Sequence, residues 1–199
     1  MRRNTAILIF DDVEVLDFAG PFEVFAVTDQ LHEHTAWNTF TIAESPGTVR
    51  AVNGLKIVPD HTLESTPPPD VLVVPGGFGT RALLKRPALI EWIRTRAQRA
   101  EIVMSVCTGA LLLAKAGLLD GLRATTHHGA LDLLRELAPV AAIDPSQRFH
   151  DNGKILTAAG ISAGIDCSLH VVARLLGSAV AEQTMRHMEY GRFAQPDPT

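Results

Sequence analysis

Three short, almost uninterrupted apolar runs constrain this chain more than any other feature: Thr5–Phe10 (TAILIF), Val71–Val74 (VLVV) and Ile102–Val106 (IVMSV). A strand with one wet face alternates apolar and polar residues. Continuous runs are expected where both faces of a parallel sheet are covered. Segments of helical period lie between and after the runs. Pro87 stands where a first helical residue belongs, and Leu89, Ile90, Ile93 and Ala97 then recur along one face. Ser162 is placed to cap a helix carrying Ile165, Leu169, Val172 and Leu176 at helical spacing. Ala179–Met188 reads as a last helix, and the chain ends in a loose tail from about residue 191, closing on Gln195–Thr199 (QPDPT).

The stretch Trp37–Pro59 reads as an inserted strand plus a hairpin, with Val49–Val52 and Leu55–Pro59 on either side of Asn53-Gly54. Thr66-Pro-Pro-Pro-Asp70 is a stiff surface connection, since the next strand begins at once. No repeat or domain boundary interrupts the pattern, so a single domain is expected over residues 1–199. Strands alternating with helices predict an α/β fold with a doubly wound, mostly parallel sheet flanked by helices. Sites in such a fold lie at the carboxyl ends of strands.

A formal net charge of -4, with scattered basic residues, argues against a nucleic-acid or membrane surface as the main partner. The apolar stretches are too short to span a bilayer, and the N-terminus lacks the apolar region and cleavage site of a secretory signal. Two cysteines make no disulfide framework, and no Cys/His spacing resembles a zinc site. A cytoplasmic protein with free thiols, without metal or cofactor, is the expectation.

Chemistry should gather where the three apolar runs end. They lead into Asp11-Asp12-Val-Glu-Val-Leu-Asp17 before a helix opening around Gly20-Pro21, into Pro75-Gly-Gly-Phe-Gly79, and into Cys107-Thr108-Gly109 before a helix over Leu111–Ala116. Ser105-Val106-Cys107-Thr108-Gly109 has the form of a nucleophile elbow with cysteine in the serine position. A helix N-terminus favours the thiolate, the nucleophilic form. The competing reading is a buried small hydrophobe, the commonest fate of a free cysteine; the strand-to-helix turn favours function. Cys167, mid-helix in an apolar pattern, reads as packing. Gly76 and Gly77 are placed to offer backbone N–H groups to a developing negative charge, although most such turns only connect elements. Asp17, in an apolar stretch, is either a helix cap or an acid/base group. His127 and His128 follow an apparent strand, Arg123–Thr126, at a fourth strand end, and either orient or shuttle a proton or cap a helix. Glu14, Glu23 and Asp166 read as helix-end or surface charges, and His32 and His34 as solvated.

Taken in order, LDFAGPFEVF (Leu16–Phe25), VVPGGFG (Val73–Gly79), VCTGALLLAKAGLLDG (Val106–Gly121), RATTH (Arg123–His127) and AGISAGIDCSLHV (Ala159–Val171) resemble the ThiJ/PfpI family of the class I glutamine-amidotransferase-like superfamily, over nearly the full length. They look most like the branch containing isocyanide hydratase, which hydrates R–N≡C to an N-substituted formamide. The resemblance implies a flavodoxin-like fold with Cys107 as nucleophile and Asp17 as its hydrogen-bonded acid/base partner. It implies that Thr108 holds substrate or water, that N–H groups around Gly76, Gly77 and Thr108 form an anion pocket, and that the protein is a homodimer acting on a small molecule. Thr108 stands where protease-like members carry His. Glyoxalase-type members use Glu, Cys and His, a poorer fit that His127 nevertheless keeps in play, and reversible oxidation of Cys107 is a third role. His128-Gly129 replaces a bulky aromatic usual in the hydratase branch. The same motifs occur in sensor domains of AraC-type regulators, which continue into a DNA-binding domain of about a hundred residues; this chain is expected to be too short for one.

Overall fold

The computed structural model describes residues 2–191. The tail expected from about residue 191 therefore lies, beyond its first residue, outside the described residues. The chain opens with β1 (Arg3–Leu8), α1 (Val15–Leu31) and β2 (Trp37–Ala43). β3 (Val49–Arg50), β4 (Lys56–Ile57) and β5 (His61–Thr62) follow, then β6 (Val71–Val74), α2 (Thr80–Leu83) and α3 (Pro87–Arg99). β7 (Ile102–Val106) leads into α4 (Gly109–Lys115), β8 (Arg123–Ala124), α5 (Leu131–Leu137) and β9 (Ala142–Ile143). β10 (Phe149–Asp151), β11 (Ile155–Ala158), α6 (Ala163–Leu176) and α7 (Ser178–His187) complete the described chain.

Seven strands form one sheet in the order β10-β11-β7-β6-β1-β2-β5. Every pair is parallel except β10 with β11. This is the doubly wound, mostly parallel sheet expected, and the apolar runs occupy its centre. All of Val71–Val74 and Ile102–Val106 are fully buried, each large apolar side chain contributing about 1.5–3 kcal/mol by leaving water. β2 is not an insertion: it pairs in register with β1 from Arg3↔Trp37 to Leu8↔Ile42. The hairpin forms as β3 against β4, with Asn53 (φ 62°) and Gly54 (φ 90°) supplying the left-handed turn.

One helix starts earlier than the sequence reading has it, and one expected capping bond does not form. α1 begins at Val15, so Gly20 and Pro21 lie inside it. Gly20 is there for closeness: a Cβ would meet Ile165 Cγ1 at 2.9 Å, and α1 consequently packs hard on α6. Ser162 occupies the cap position of α6, but its side chain makes no capping bond; its Oγ accepts from Arg148 at 3.2 Å. The strand at Arg123–Thr126 shortens to β8, which pairs with β9 in a separate two-stranded sheet. It does not supply a fourth end to the main sheet. That fourth end belongs to β11, whose Ala158 lies beside Val106. Among the described residues no helix is long and apolar enough to cross a membrane.

Candidate active site

The chain leaves β1 toward β2 on one side and β6 on the other, which opens a crevice at the carboxyl ends of the strands. The loops after β1 and β6 are laced together there. Glu14 N–H donates to the Gly76 carbonyl at 2.9 Å, and Val13 and Gly77 form an isolated bridge. Gly77 takes φ 130°, and a Cβ would meet the Asp12 carbonyl at 2.2 Å. Only glycine permits this approach.

Cys107 sits on the elbow with φ 55°, a left-handed conformation that a non-glycine residue holds only when its surroundings enforce it. The enforcement is visible. Its amide donates to the carbonyls of Ala158 (3.1 Å) and Ala159 (2.7 Å), and its carbonyl accepts from Thr126 Oγ1 at 2.7 Å. Gly109 lets the turn seat against β6, since a Cβ there would lie 1.9 Å from the Val74 carbonyl oxygen.

Asp17 is in the first turn of α1 and wholly buried. It is not a cap: Glu14 holds that position. Asp17 Oδ2 accepts the Gly76 N–H at 2.9 Å, while Oδ1 has no hydrogen bond of good geometry. The Cys107 thiol is a neighbour of this carboxyl, and each group perturbs the other. Burial, and then the charge of Glu14, lift the Asp17 pKa from 3.8 to about 7 against the lowering effect of the Gly76 bond. Burial pushes the thiol up to about 12, and the Asp17 charge adds to it; the N–H groups of Thr108 and Ile161 facing the sulfur pull only weakly the other way. The expected low-pKa thiolate is therefore not what the fold produces. Desolvation and a neighbouring carboxylate outweigh the start of a helix only seven residues long.

Gly76 and Gly77 serve differently from the free anion donors expected. Gly76 N–H is taken by Asp17, and Gly77 N–H donates to Thr108 Oγ1 at 2.9 Å. Thr108 Oγ1 also reaches the Gly77 carbonyl at 3.1 Å and the Thr80 hydroxyl at 3.2 Å. The glycine turn thus holds Asp17 and Thr108 in place, and the donors that face the sulfur are Thr108 and Ile161.

His127 reaches the site although β8 lies outside the main sheet, because Thr125 N–H donates to Thr157 Oγ1 at 3.0 Å and Thr126 is tied to Cys107. Burial, then His128 and Arg81, hold its pKa below the ordinary 6.5. His128 is exposed, stacks on His127 with centroids 4.1 Å apart and does not line the pocket above the thiol. That pocket, about 110 Å³, is lined by Cys107, Thr108, Gly77 and His127 together with Glu14, Phe78, Arg81 and Ile161. Glu14, expected as a helix-end charge, does hold the cap position of α1, while the sequence reading does not single out Phe78, Arg81 and Ile161; the non-glycine φ of 46° at Ile161 is the kind of signal only coordinates reveal. A larger cavity of about 470 Å³, bounded by Phe10, Glu44, Leu83 and Arg86, is lined by neither cysteine. Among the described residues no cluster of three or more His, Cys, Asp or Glu is placed to hold a metal ion. Cys167 is fully buried in α6.

Comparison with known proteins bears on this arrangement. The model of the DJ-1/PfpI family matches residues 3–174. The isonitrile hydratase of Pseudomonas putida is 37% identical over 96% of this chain and 79% of its own length. The HTH-type transcriptional regulator CdhR of Pseudomonas aeruginosa is 30% identical over 97% of this chain, which spans only 56% of that protein. A crystal structure of a ThiJ/PfpI family protein from Pseudomonas syringae superposes with a TM-score of 0.86 at 32% identity, covering 100% of this chain and 77% of the other.

Proposed function

The chain belongs to the DJ-1/PfpI family, and from that premise we propose that it is a cofactor-independent, isocyanide-hydratase-like enzyme with Cys107 as its nucleophile. The observation that carries the reading is the pairing of a strained, nearly buried thiol with a wholly buried carboxyl whose pKa lies near neutrality. The 37% identity to an isonitrile hydratase supports it.

The chemistry follows from the pair. At pH 7 the thiol keeps its proton and Asp17 is shared between carboxyl and carboxylate. A carboxylate at that balance accepts the thiol proton and returns it with little cost in either direction. Sulfur attacks the terminal carbon of R–N≡C as Asp17 passes the proton to that same carbon, giving the thioimidate R–N=CH–S–Cys107. Water adds across the C=N bond to give R–NH–CH(OH)–S–Cys107. Loss of the hydroxyl proton to Asp17 expels the sulfur, which recovers a proton, and R–NH–CHO leaves. Thr108 and Ile161 N–H groups stabilise the sulfur whenever it carries negative charge. Incubation with an alkyl isocyanide should yield the formamide, and Cys107→Ala should abolish it; undiminished turnover in that variant removes the covalent mechanism.

A carbonyl-acting reading draws on one observation: His127 shares the pocket with Cys107. D-lactate formed from methylglyoxal and lost on His127→Ala would put that reading first. The raised thiol pKa weighs against a redox sensor, because thiolates are the form that oxidises readily.

A further inference from the structure

The rim of the pocket carries two opposite charges that hydration does not use. Glu14 stands at the start of α1 and Arg81 in α2, and both line the cavity over Cys107. The guanidinium is anchored at one corner. Its Nη1 donates to the Gly77 carbonyl at 3.3 Å and to Thr80 Oγ1 at 3.0 Å. Its Nε and Nη2 make no bond to the described residues, and among those residues no carboxylate pairs with it. A pinned guanidinium with an unused fork is a receptor for a planar anion. His127 adds a donor to the same rim: Gly129 N–H donates to its Nδ1 at 3.2 Å, which leaves the proton of the neutral ring on Nε2. Phe78 and Ile161 supply the apolar wall.

We propose that Arg81 determines specificity by receiving a carboxylate on a small electrophile whose reactive carbon meets Cys107. The inference rests on Cys107 being the nucleophile and narrows its substrate from a neutral apolar electrophile to an anionic one. A cavity of about 110 Å³ holds about four water-sized groups, which suits a two- or three-carbon unit ending in a carboxylate. Glu14 confines that carboxylate to the Arg81 side by repelling it elsewhere.

Alkylation of Cys107 by iodoacetate and by the neutral isostere iodoacetamide tests this without requiring turnover. Sulfur displaces iodide in both reactions, so the ratio of the two rates cancels any change in thiol pKa. Mass spectrometry of the Cys107 peptide reads the rates, with glutathione as the free-thiol reference. Arg81→Gln should lower the iodoacetate-to-iodoacetamide ratio about five- to tenfold, and Glu14→Gln should raise it. In the unaltered protein, added salt should slow iodoacetate selectively. A ratio within twofold of the unaltered protein in both variants, or one indifferent to salt, overturns the proposal. An isocyanide bearing a carboxylate and its methyl ester separate this proposal from the hydratase reading. No formamide from either, with the alkylation preference intact, removes the hydratase and keeps the anion site. Equal turnover of both, with a flat ratio, removes the anion site and keeps the hydratase.

Discussion

Asp17→Asn changes one atom at the centre of the site and should stabilise the protein while disabling it. Asparagine keeps the shape and can still accept the Gly76 N–H, which is 2.9 Å from Oδ2. What it removes is a charge that the fold resists. The lift in pKa from 3.8 to about 7 corresponds to about 4 kcal/mol at pH values above both. The sign is set by which state holds the proton. Between the two pKa values the folded protein retains the Asp17 proton and the unfolded chain has lost it, so stability falls as pH rises through this window. Above about pH 7 the full cost is present, and below about pH 4 it vanishes. The variant lacks the group and should not follow. Urea unfolding at pH 5 and pH 8 should show the variant's advantage growing by about 3 kcal/mol, a midpoint difference wider by about 1 M. At pH 8 its Cys107 should alkylate faster with iodoacetamide, because loss of the neighbouring charge lowers a thiol now near 12. Turnover should fall about 10²–10⁴-fold with the acid/base group gone. A midpoint difference that stays flat from pH 5 to pH 8 would refute the assignment of the raised pKa to Asp17, and with it the proton shuttle.

Two further outcomes follow from the same geometry. Gly109→Ala places a methyl group 1.9 Å from the Val74 carbonyl oxygen, so the elbow must shift or the protein lose several kcal/mol; a thermal midpoint unchanged within two degrees contradicts the packing. The His127 ring protons, followed by NMR, should titrate below 6.5, moving up in Arg81→Gln and down in Glu14→Gln, since Arg81 lowers and Glu14 raises this pKa.

The centre of the fold was legible because burial on both faces leaves its mark in composition. β1, β6 and β7 are runs that no half-wet strand would carry. The edges were not. β5 and β10 are two and three residues long, too short for a periodicity, and β8 reads like a sheet strand although it pairs elsewhere. The elbow was legible for a local reason, since small residues on both sides of Cys107 permit a tight turn. Asp17 declared itself as an acid among apolar neighbours, but local pattern could not separate a cap from a buried partner. Phe78, Arg81 and Ile161 were silent because each belongs to a loop or short helix whose meaning arises only when strand ends converge; Glu14 was legible as a helix-end charge, but not as part of the pocket over the thiol. The thiolate expectation failed because a sequence displays a helix start but not the desolvation around it.

The two bonds from the Cys107 amide to the Ala158 and Ala159 carbonyls impose an order in time. During synthesis the elbow emerges well before β11, and until that strand docks the two bonds that fix the Cys107 amide are missing. Burial is the largest cause of the rise in the Cys107 pKa to about 12, so a chain whose β11 has not docked should present more thiolate. Completion of the fold quiets the sulfur by burying it.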